Sequence, residues 1–363
     1  MIKTGSDFSG VGAFDQALRK LGIDYKTVYA CDWDKYSRQT YIENYGEPMY
    51  FPKDVYEREI PKESLDLYMT SPPCQAFSLA GKRKGEDDER GILFYNSHEF
   101  IQKNNPRYFI FENVRGLLSD ADGLTFKVWL DMLGGKSVNG NPVLFPNEKS
   151  TPYHIYWQVL NAKHYGVPQN RERVFIIGIR DDADNTFRFP KTQHLTKKLK
   201  DVLEDNVNDK YFLSEKMVKH LKHHDRSQKP ITEKTEIVNC ITANYAKQSS
   251  DLQYLKISTN NKRVNQNYSK HKDTIEKGDF MDSYNQTIHK EVTPTITSRI
   301  TGSNNYHIFE EKQIRRLTPR ECFRLMDFPE DFKWSVSDTQ AYKQAGNSIV
   351  VNVLAEIINK LKL

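Results

Sequence analysis

The sequence predicts an α/β protein: a doubly wound sheet accompanied by a smaller, loop-rich domain. Residues 1 to about 190 alternate short β-rich runs with stretches of helical apolar spacing, which is typical of such a sheet. Residues 191–312 are rich in Asn, Ser, Thr, Lys and His and have few long apolar faces. After Arg315 the spacing becomes helical again. We therefore expect a main domain over 1–190, a separate domain over 191–312, and a segment over 313–363 that returns to the main domain.

Each element of this fold has its own pattern. Short apolar runs rich in β-branched and aromatic residues predict strands, at 25–31, 65–69, 108–112, 153–160 and 174–179. Helical spacing of apolar residues predicts helices around 14–21, in the stretch 36–41 before Gly46, over 319–326 and over 348–361. The last of these helices has a wide apolar stripe that needs a partner, and the main domain is the plausible one.

Composition excludes several classes of protein. The 363 residues are enough for one large domain and one small one. No stretch approaches the roughly 20 apolar residues of a membrane span, and the N-terminus lacks the pattern of a secretory signal, so we expect a cytoplasmic protein without a membrane partner. The four cysteines are far apart, which supports neither a disulfide framework nor a metal site.

Charge is distributed unevenly. Residues 191–312 contain 21 Lys plus Arg against 16 Asp plus Glu, so this segment accounts for the whole formal charge of +5. A local basic excess favours a surface that meets a polyanion, although a solvated lysine-rich face gives the same count. The stretch 237–245 is echoed by 291–299, which suggests a weak internal duplication or a chance similarity.

A glycine turn and an acid mark one candidate site. Gly10 and Gly12 lie between the first strand and the first helix, where glycine permits positive φ and close approach of a ligand. The next strand ends in Asp32 and Trp33, an acid that can accept ribose hydroxyls and a ring that can stack on adenine. A nucleoside pocket is therefore favoured over a purely structural turn. The absence of GxGxxG and of a P-loop lysine disfavours NAD and ATP.

Three further features could carry chemistry. Cys74 follows two prolines directly after a strand, a setting that favours a nucleophile over a small buried side chain. Glu112 ends an apolar strand, so it should be partly desolvated and suited to donate a proton near neutrality, unless it serves as a cap or an ion-pair partner. Arg171 and Arg173 lie two apart on an extended segment and could face one cleft, or form a surface charge cluster.

The order of these motifs resembles that of the cytosine-C5 DNA methyltransferase family. The shared motifs are Phe-x-Gly-x-Gly, Asp-Trp, Pro-Cys-Gln, Glu-Asn-Val, Gln-x-Arg-x-Arg and Gly-Asn-Ser, over about residues 5–180 and 313–358. The resemblance implies a Rossmann-like S-adenosylmethionine-dependent fold with a target-recognition domain at 191–312. Two positions depart from the common pattern: Ala13 replaces a second glycine, and Asp7 stands where an apolar residue is common.

The resemblance also assigns roles. It implies that the S-adenosylmethionine site is formed by Phe8, Gly10, Gly12, Asp32, Trp33, Asp54, Pro73, Asn347 and Ser348. It implies that the catalytic residues are Cys74, Glu112, Arg173, Arg171 and Gln75. In this chemistry a cysteine thiolate adds to C6 of cytosine, an acid protonates N3, and C5 then attacks the methyl group. Stacking covers the face of a paired base, so the target must be flipped out of the duplex.

The partner implied by the resemblance is double-stranded DNA. We expect the DNA contacts to come from Ser78, Thr242, Asn244, Tyr245, Thr295, Thr297 and Arg299, the last six from the two echoed stretches. A monomer is expected, with a cognate restriction endonuclease acting on the same site without a stable complex. Two alternatives remain open: a tRNA cytosine-C5 methyltransferase and a catalytically silent DNA-binding regulator.

Overall fold

The protein is described by a computed structural model. It describes residues 1–73, 92–183, 186–213, 231–232, 235–243, 245, 255–256, 280–282, 287–289, 306–308 and 314–363. These residues form two compact units. Unit 1 is drawn from 1–198, 239–246 and 322–363, and unit 2 from 199–238 and 247–321. Residues 239–246 thus belong to unit 1, although sequence analysis grouped them with the 191–312 domain.

Unit 1 is built on one mixed sheet with flanking helices. The strands of unit 1, all in this sheet except β8, are β1 (Ile2–Asp7), β2 (Tyr25–Cys31), β3 (Leu67–Thr70), β4 (Tyr108–Val114), β5 (Ser137–Val138), β6 (Asn141–Pro142), β7 (Tyr153–Asn161), β8 (Gln169–Asn170) and β9 (Glu172–Arg180). Its helices are α1 (Ala13–Lys20), α2 (Lys35–Tyr45), α3 (Ile92–Asn104) and α4 (Leu124–Leu133), followed near the C-terminus by α5 (Pro319–Arg324), α6 (Asp338–Asn347) and α7 (Val351–Ile358). The helix α5 begins in unit 2 and ends in unit 1. In unit 1, 3-10 turns lie within Arg115–Gly123, which is interrupted by a kink at 120–122, and at Ala162–His164; in unit 2 they lie at Leu199–Val202 and Asp209–Tyr211.

The described strands of this sheet run in the order β2-β1-β3-β4-β9-β7-β5-β6. Strands β2, β1, β3 and β4 are parallel, whereas β9 is antiparallel to both β4 and β7. The chain moves from β1 outward to β2 and then back to β3, so the sheet has a topological switch point between β1 and β3. Ligands of open α/β sheets bind outside the carboxyl ends of the strands at such a point. The predicted doubly wound fold is confirmed, with the predicted strands found within a few residues of their expected ends.

The core explains why these segments form strands and helices. Every residue of β3 is buried, as are six of the seven residues of β4, so these central strands read as continuous apolar runs. The helix α1 buries Phe14, Ala17 and Leu18 on one face, which is the helical spacing seen in the sequence. The predicted C-terminal helix is α7, and it packs its apolar stripe against α1.

Unit 2 contains short strands, as its polar composition predicts. These are β10 (Ile231–Thr232), β11 (Val238–Asn239), β12 (Leu255–Lys256), β13 (Phe280–Asp282), β14 (Thr287–His289), β15 (Tyr306–Ile308) and β16 (Ile314–Arg315). The strand β11 extends into unit 1 by one residue. The strand β13 pairs antiparallel with β14 and β15, and β12 lies between β10 and β16. A buried ion pair joins Arg315 to Glu321 at 2.7 Å. The stretch 291–299 lies outside the described residues, so the duplication stays a prediction.

None of the described helices has the length and apolar character needed to cross a membrane.

A close approach between β4 and β9 makes a glycine necessary at position 178. Gly178 lies opposite Phe109, and a Cβ at residue 178 would come within 2.0 to 2.4 Å of the Phe109 ring. We expect Gly178→Ala to reduce the free energy of unfolding by about 2 kcal/mol, because the ring must leave its packed position. Urea denaturation measures this change. Gly116→Ala is the control, since its Cβ would meet nothing nearer than 3.7 Å. Equal stability of the two variants would contradict this packing.

Candidate active site

The candidate site lies where the four parallel strands end. The carboxyl ends of β1, β2, β3 and β4 meet at one edge of the sheet, and they carry the glycine turn, Asp32, Ser71 and Glu112. The strand β9 runs in the opposite direction, so its first residues, including Arg173, lie at the same edge, where Arg173 pairs with Val114. The edge therefore collects acids and arginines that are far apart in the sequence.

Glu112 is held by two neighbours. Its side chain is 6% exposed. Its Oε1 is 3.0 Å from Nε of Arg173, and its Oε2 accepts a hydrogen bond of 2.5 Å from the hydroxyl of Ser71. Both carboxylate oxygens thus have fixed partners in a desolvated setting, where charge-assisted bonds are strong. The carboxylate is consequently fixed in orientation.

The loop after β3 is tied to β4 at its beginning. The amide of Asn113 donates a hydrogen bond of 3.2 Å to the carbonyl of Pro72, and Ser71 contacts Glu112. Sequence analysis did not single out Ser71 or Asn113 as site residues. Their position at the ends of two neighbouring parallel strands was the available signal.

The glycine turn lies against Asp32. The N–H of Gly10 donates to one oxygen of Asp32 at 2.7 Å, and the N–H of Asp34 donates to the other at 2.9 Å. Burial raises the pKa of the Asp32 carboxyl to about 6, although these two N–H donors oppose the rise. The adjacent Trp33 is 85% exposed, so its ring is open to a ligand. The turn thus presents an acid and an aromatic face beside a glycine.

The two turn glycines serve different purposes. Both have positive φ, +56° at Gly10 and +81° at Gly12. A Cβ at Gly12 would come within 2.2 Å of the Tyr45 ring, so this glycine allows close packing of α2. A Cβ at Gly10 would meet nothing closer than the carbonyl of Phe8 at 4.0 Å, so the space beside the Gly10 backbone is open.

The C-terminal motif reaches the same region through α6. An ion pair of 2.5 Å joins Lys343 of α6 to Asp34, next to Asp32 and Trp33. The last two residues of the Gly-Asn-Ser motif differ in exposure. Asn347 is exposed, whereas Ser348 is buried and its hydroxyl donates to the carbonyl of Ile349 at 3.3 Å.

The remaining predicted cofactor residues differ in exposure. Phe8 is half-buried and packs against the core, whereas Asp54 and Pro73 are exposed. Asp54 accepts a hydrogen bond of 2.9 Å from the backbone of Tyr56.

Arg171 does not share the setting of Arg173. Its guanidinium donates to the carbonyls of Ile241, Gly346 and Ser348 at 2.7 to 3.0 Å and to the sulfur of Cys240 at 3.0 Å. Burial lowers its pKa to about 10, and the charge of Arg173 contributes. Both arginines line one small cavity, as the sequence predicts, but the guanidinium of Arg171 is also bonded to carbonyls of distant segments and so holds the chain together.

Gln169 completes this junction, which sequence analysis missed. Its side-chain oxygen accepts from the N–H of Ile241 at 3.1 Å, and its nitrogen donates to the carbonyl of Leu325 at 2.8 Å. A Cβ at Gly346 would come within 2.2 to 2.5 Å of the backbone of Thr242 and Ala243. The absence of a side chain at the glycine of the Gly-Asn-Ser motif therefore allows the backbone of residues 242–243 to pack closely against it.

The predicted DNA-contact residues are only partly described. Thr242 is exposed, whereas Tyr245 is 2% exposed and its ring packs on Tyr342 at 5.6 Å. The prediction that Tyr245 contacts DNA is corrected, because its ring belongs to the core of unit 1. Seven predicted site residues lie outside the described residues: Cys74, Gln75, Ser78, Asn244, Thr295, Thr297 and Arg299.

The fold and the site define an α/β protein whose sheet edge carries a glycine turn bonded to an acid, together with an acid–arginine ion pair. The family model for C-5 cytosine-specific DNA methylase matches residues 2–363. The chain is 31% identical to the type II methyltransferase M.Bsp6I of Bacillus sp. (strain RFL6), with 99% of this chain and 98% of that protein covered. It is 32% identical to the type II methyltransferase M.HpaII of Haemophilus parainfluenzae, with 95% and 84% covered.

A solved structure of similar fold is that of a mutant DNMT2 from Spodoptera frugiperda. It has a TM-score of 0.70, 22% sequence identity and 99% coverage of both chains. The chain belongs to the C-5 cytosine-specific DNA methylase family. It is a DNA (cytosine-5-)-methyltransferase, and its methyl donor is S-adenosylmethionine. The acid at Asp32, the open Trp33 ring and the space beside Gly10 fit a nucleoside with a free ribose.

The structure assigns Arg171 to holding the chain together, and this is testable. We expect Arg171→Met to reduce the free energy of unfolding by about 3 kcal/mol, because three buried carbonyls lose their donor. Urea denaturation measures the loss. Arg115→Met is the control: its exposed pair with Glu172 should contribute less than about 1 kcal/mol. An Arg171→Met protein with normal stability and no activity would instead support the direct catalytic role that the sequence predicted.

Proposed function

We propose that this enzyme methylates C5 of a flipped-out cytosine within a specific duplex sequence, with Glu112 and Arg173 binding the target base. The observation that supports this most strongly is the buried Glu112–Arg173 pair at the carboxyl edge of the sheet. A carboxyl group can hydrogen-bond the N3 and amino edge of cytosine, and a guanidinium can bind O2 or a flanking phosphate. Neighbouring groups thus match the polar edge of one base.

Cys74 is the proposed nucleophile. Cytosine C5 is a poor nucleophile until the ring loses its aromaticity. In the proposed reaction the thiolate forms a bond to C6, and Glu112 donates a proton to N3 as charge develops there. The ring is then an enamine with a nucleophilic C5, which would take up the methyl group as the sulfonium of S-adenosylmethionine leaves as a neutral thioether. Loss of the C5 proton to a base, return of the N3 proton to Glu112 and breaking of the C6–sulfur bond restore the ring, the acid and the thiolate. Gln75, the next residue in the sequence, is proposed as a further catalytic residue.

Ser71 and Asn113 support this proposal through geometry. They connect the residues just before Cys74 to the strand that carries Glu112. A nucleophile and an acid that act on one ring must keep a fixed separation, since a misplacement of about 1 Å costs a large factor in rate. Ties between β3 and β4 at this point would maintain that separation.

The methyl donor is proposed to lie beside the glycine turn. S-Adenosylmethionine, when bound, supplies a methyl group on a positively charged sulfur. Asp32 would accept the ribose hydroxyls, Trp33 would stack on adenine, and Asp54 would accept from the adenine amino group. The other proposed contacts are Phe8, Gly10, Gly12, Pro73, Asn347 and the backbone of Ser348.

Recognition of the DNA sequence is proposed for the domain over 191–312. Its basic excess suits phosphate binding, and its many Asn, Thr and Ser side chains suit reading of base edges. Thr242 remains a candidate because it is exposed. Ser78, Asn244, Thr295, Thr297 and Arg299 are proposed on sequence grounds alone. About 120 residues in this segment favour duplex DNA over the tRNA alternative.

The cellular setting follows from the relatives. They come from bacteria and from a phage, and they include an orphan methyltransferase from Bacillus phage SPR. We propose a cytoplasmic monomer that protects DNA from a restriction endonuclease of the same specificity, without a stable complex between the two. The silent-regulator alternative is disfavoured because Cys74, Glu112 and Arg173 are all present.

Bisulfite sequencing tests the proposal. Plasmid DNA from cells expressing the wild type should contain protected cytosines in one short sequence context. Cys74→Ala should abolish them. Glu112→Gln should lower kcat by about 100-fold or more in single-turnover assays, because a general acid is lost, while binding of DNA and of S-adenosylmethionine is retained.

The matched control is Glu172→Gln, which changes an exposed carboxylate on the neighbouring strand and should leave kcat unchanged. Full activity of the Glu112→Gln enzyme would contradict the proposed acid. If wild-type DNA contained no protected cytosines while labelled methyl groups appeared in tRNA, the RNA alternative would replace this proposal.

A further inference from the structure

An enclosed arginine contacts the residue that precedes the glycine turn. The side chain of Arg58 is 1% exposed. Its Nη2 donates to Oδ2 of Asp7 at 2.9 Å and to the carbonyl of Asn96 at 2.9 Å, and its Nη1 donates to the carbonyl of Val55. One guanidinium thus joins three separate segments: the end of β1, the loop before β3, and α3.

Asp7, the acceptor of this ion pair, immediately precedes the glycine turn. Its side chain is fully buried and also accepts hydrogen bonds from the hydroxyls of Tyr29 and Tyr68, the latter at 2.6 Å. Burial raises the pKa of Asp7, against the effects of Arg58 and the two phenols. This is the position at which the family commonly has an apolar residue. Because a buried ion pair seldom stabilises a protein more than apolar packing does, its presence points to a positional role.

The loop held by Arg58 carries Asp54. A second arginine holds the other side of this acid: Nη1 of Arg38 donates to the carbonyl of Pro52 at 2.9 Å, and its guanidinium lies 3.8 Å from the centre of the Phe51 ring. The carbonyls of Pro52 and Val55, on either side of the exposed Asp54, are therefore both fixed by guanidinium groups. Asp54 has little freedom to move away from the position that the loop gives it.

We propose that Asp7 and Arg58 are a positioning pair for S-adenosylmethionine. They hold the Asp54 loop at a fixed distance from the glycine turn, and so set the affinity of the pocket for the adenosine end of the methyl donor. This inference rests on the proposed role of Asp54. Neither residue of the pair touches the methyl donor in this account; both act through the loop and the turn.

The contacts of the pair predict which kinetic constant changes. Arg58 contacts Asp7, which precedes the glycine turn, and Asn96 of α3. The Glu112–Arg173 pair lies on β4 and β9 and shares none of these hydrogen bonds. Loss of the pair should therefore raise KM and Kd for S-adenosylmethionine while leaving kcat nearly unchanged. A residue that merely stabilised the fold would lower the amount of active enzyme without changing the affinity of the molecules that remain folded.

The test uses a double variant that removes both charges together. Asp7→Leu with Arg58→Met avoids an unpaired buried charge, so the protein should fold. We expect Kd for S-adenosylmethionine, measured by titration calorimetry, to rise about tenfold, and kcat at saturation to stay within about threefold of the wild type. Asp54→Ala should also raise Kd. Adding Asp54→Ala to the double variant should raise Kd for S-adenosylmethionine little further, because the pair acts through that acid.

Two other variants complete the design. Arg58→Lys keeps a charge beside Asp7, but one ammonium cannot reach all the acceptors of the guanidinium, so Kd should rise by a smaller factor. It replaces the double variant if that protein does not fold. The matched control removes the buried pair of unit 2, by Arg315→Met with Glu321→Leu; it should lower the melting temperature without changing Kd for S-adenosylmethionine.

The outcomes separate this inference from the proposed function. If Asp54→Ala raises Kd but the double variant and Arg58→Lys bind like the wild type, the positioning role is wrong and the pocket assignment stands. If Asp54→Ala leaves Kd unchanged, the proposed role of Asp54 is wrong and the inference falls with it. If the triple variant instead raises Kd by the product of the factors measured for Asp54→Ala and for the double variant, the pair does not act through Asp54, and the inference is overturned.

Discussion

The ion pair between Glu112 and Arg173 is the interaction on which the site depends. It joins the end of a central parallel strand to the beginning of an antiparallel neighbour at 3.0 Å, with the Glu112 side chain 6% exposed and that of Arg173 18% exposed. Removing one partner would leave an unpaired buried charge, which is strongly unfavourable. In the proposed reaction, the pair sets where along the sheet edge the target base is bound.

The rest of unit 1 supplies fixed distances to that pair. Ser71 and Asn113 connect the neighbouring strand β3 to it, and the glycine turn and Asp32 lie further along the same edge. Gln169 and Arg171 connect residues 240–241 and 346–348, which are distant in the sequence, within unit 1. Hydrogen bonds to backbone carbonyls recur in this design, with Arg58, Arg38 and Arg171 each holding a segment rather than a substrate. Buried guanidinium groups suit this task because their donors form a rigid fork.

Much of the fold and of the site could be predicted from the sequence. The strands and helices could be predicted because apolar period and glycine placement are local signals. The order of the motifs is read directly from the sequence. Tyr245 and Arg171 could not be assigned in this way, since each has its partners in distant segments: Tyr342 for the first, Ile241 and Gly346 for the second. Asp7 looked like a tolerable departure from a motif. Its meaning depends on Arg58, which is 51 residues away.

The central claim is that Cys74 forms a covalent bond to a cytosine that Glu112 binds. Duplex DNA with 5-fluorocytosine at the methylated position tests it most directly, because the final elimination removes a proton from C5 and fluorine cannot leave in its place. Peptide mapping by mass spectrometry of the wild type incubated with this DNA and S-adenosylmethionine should find the base attached to Cys74, with far less adduct in the Glu112→Gln enzyme. No adduct, or an adduct on Cys31, Cys240 or Cys322, would contradict the account.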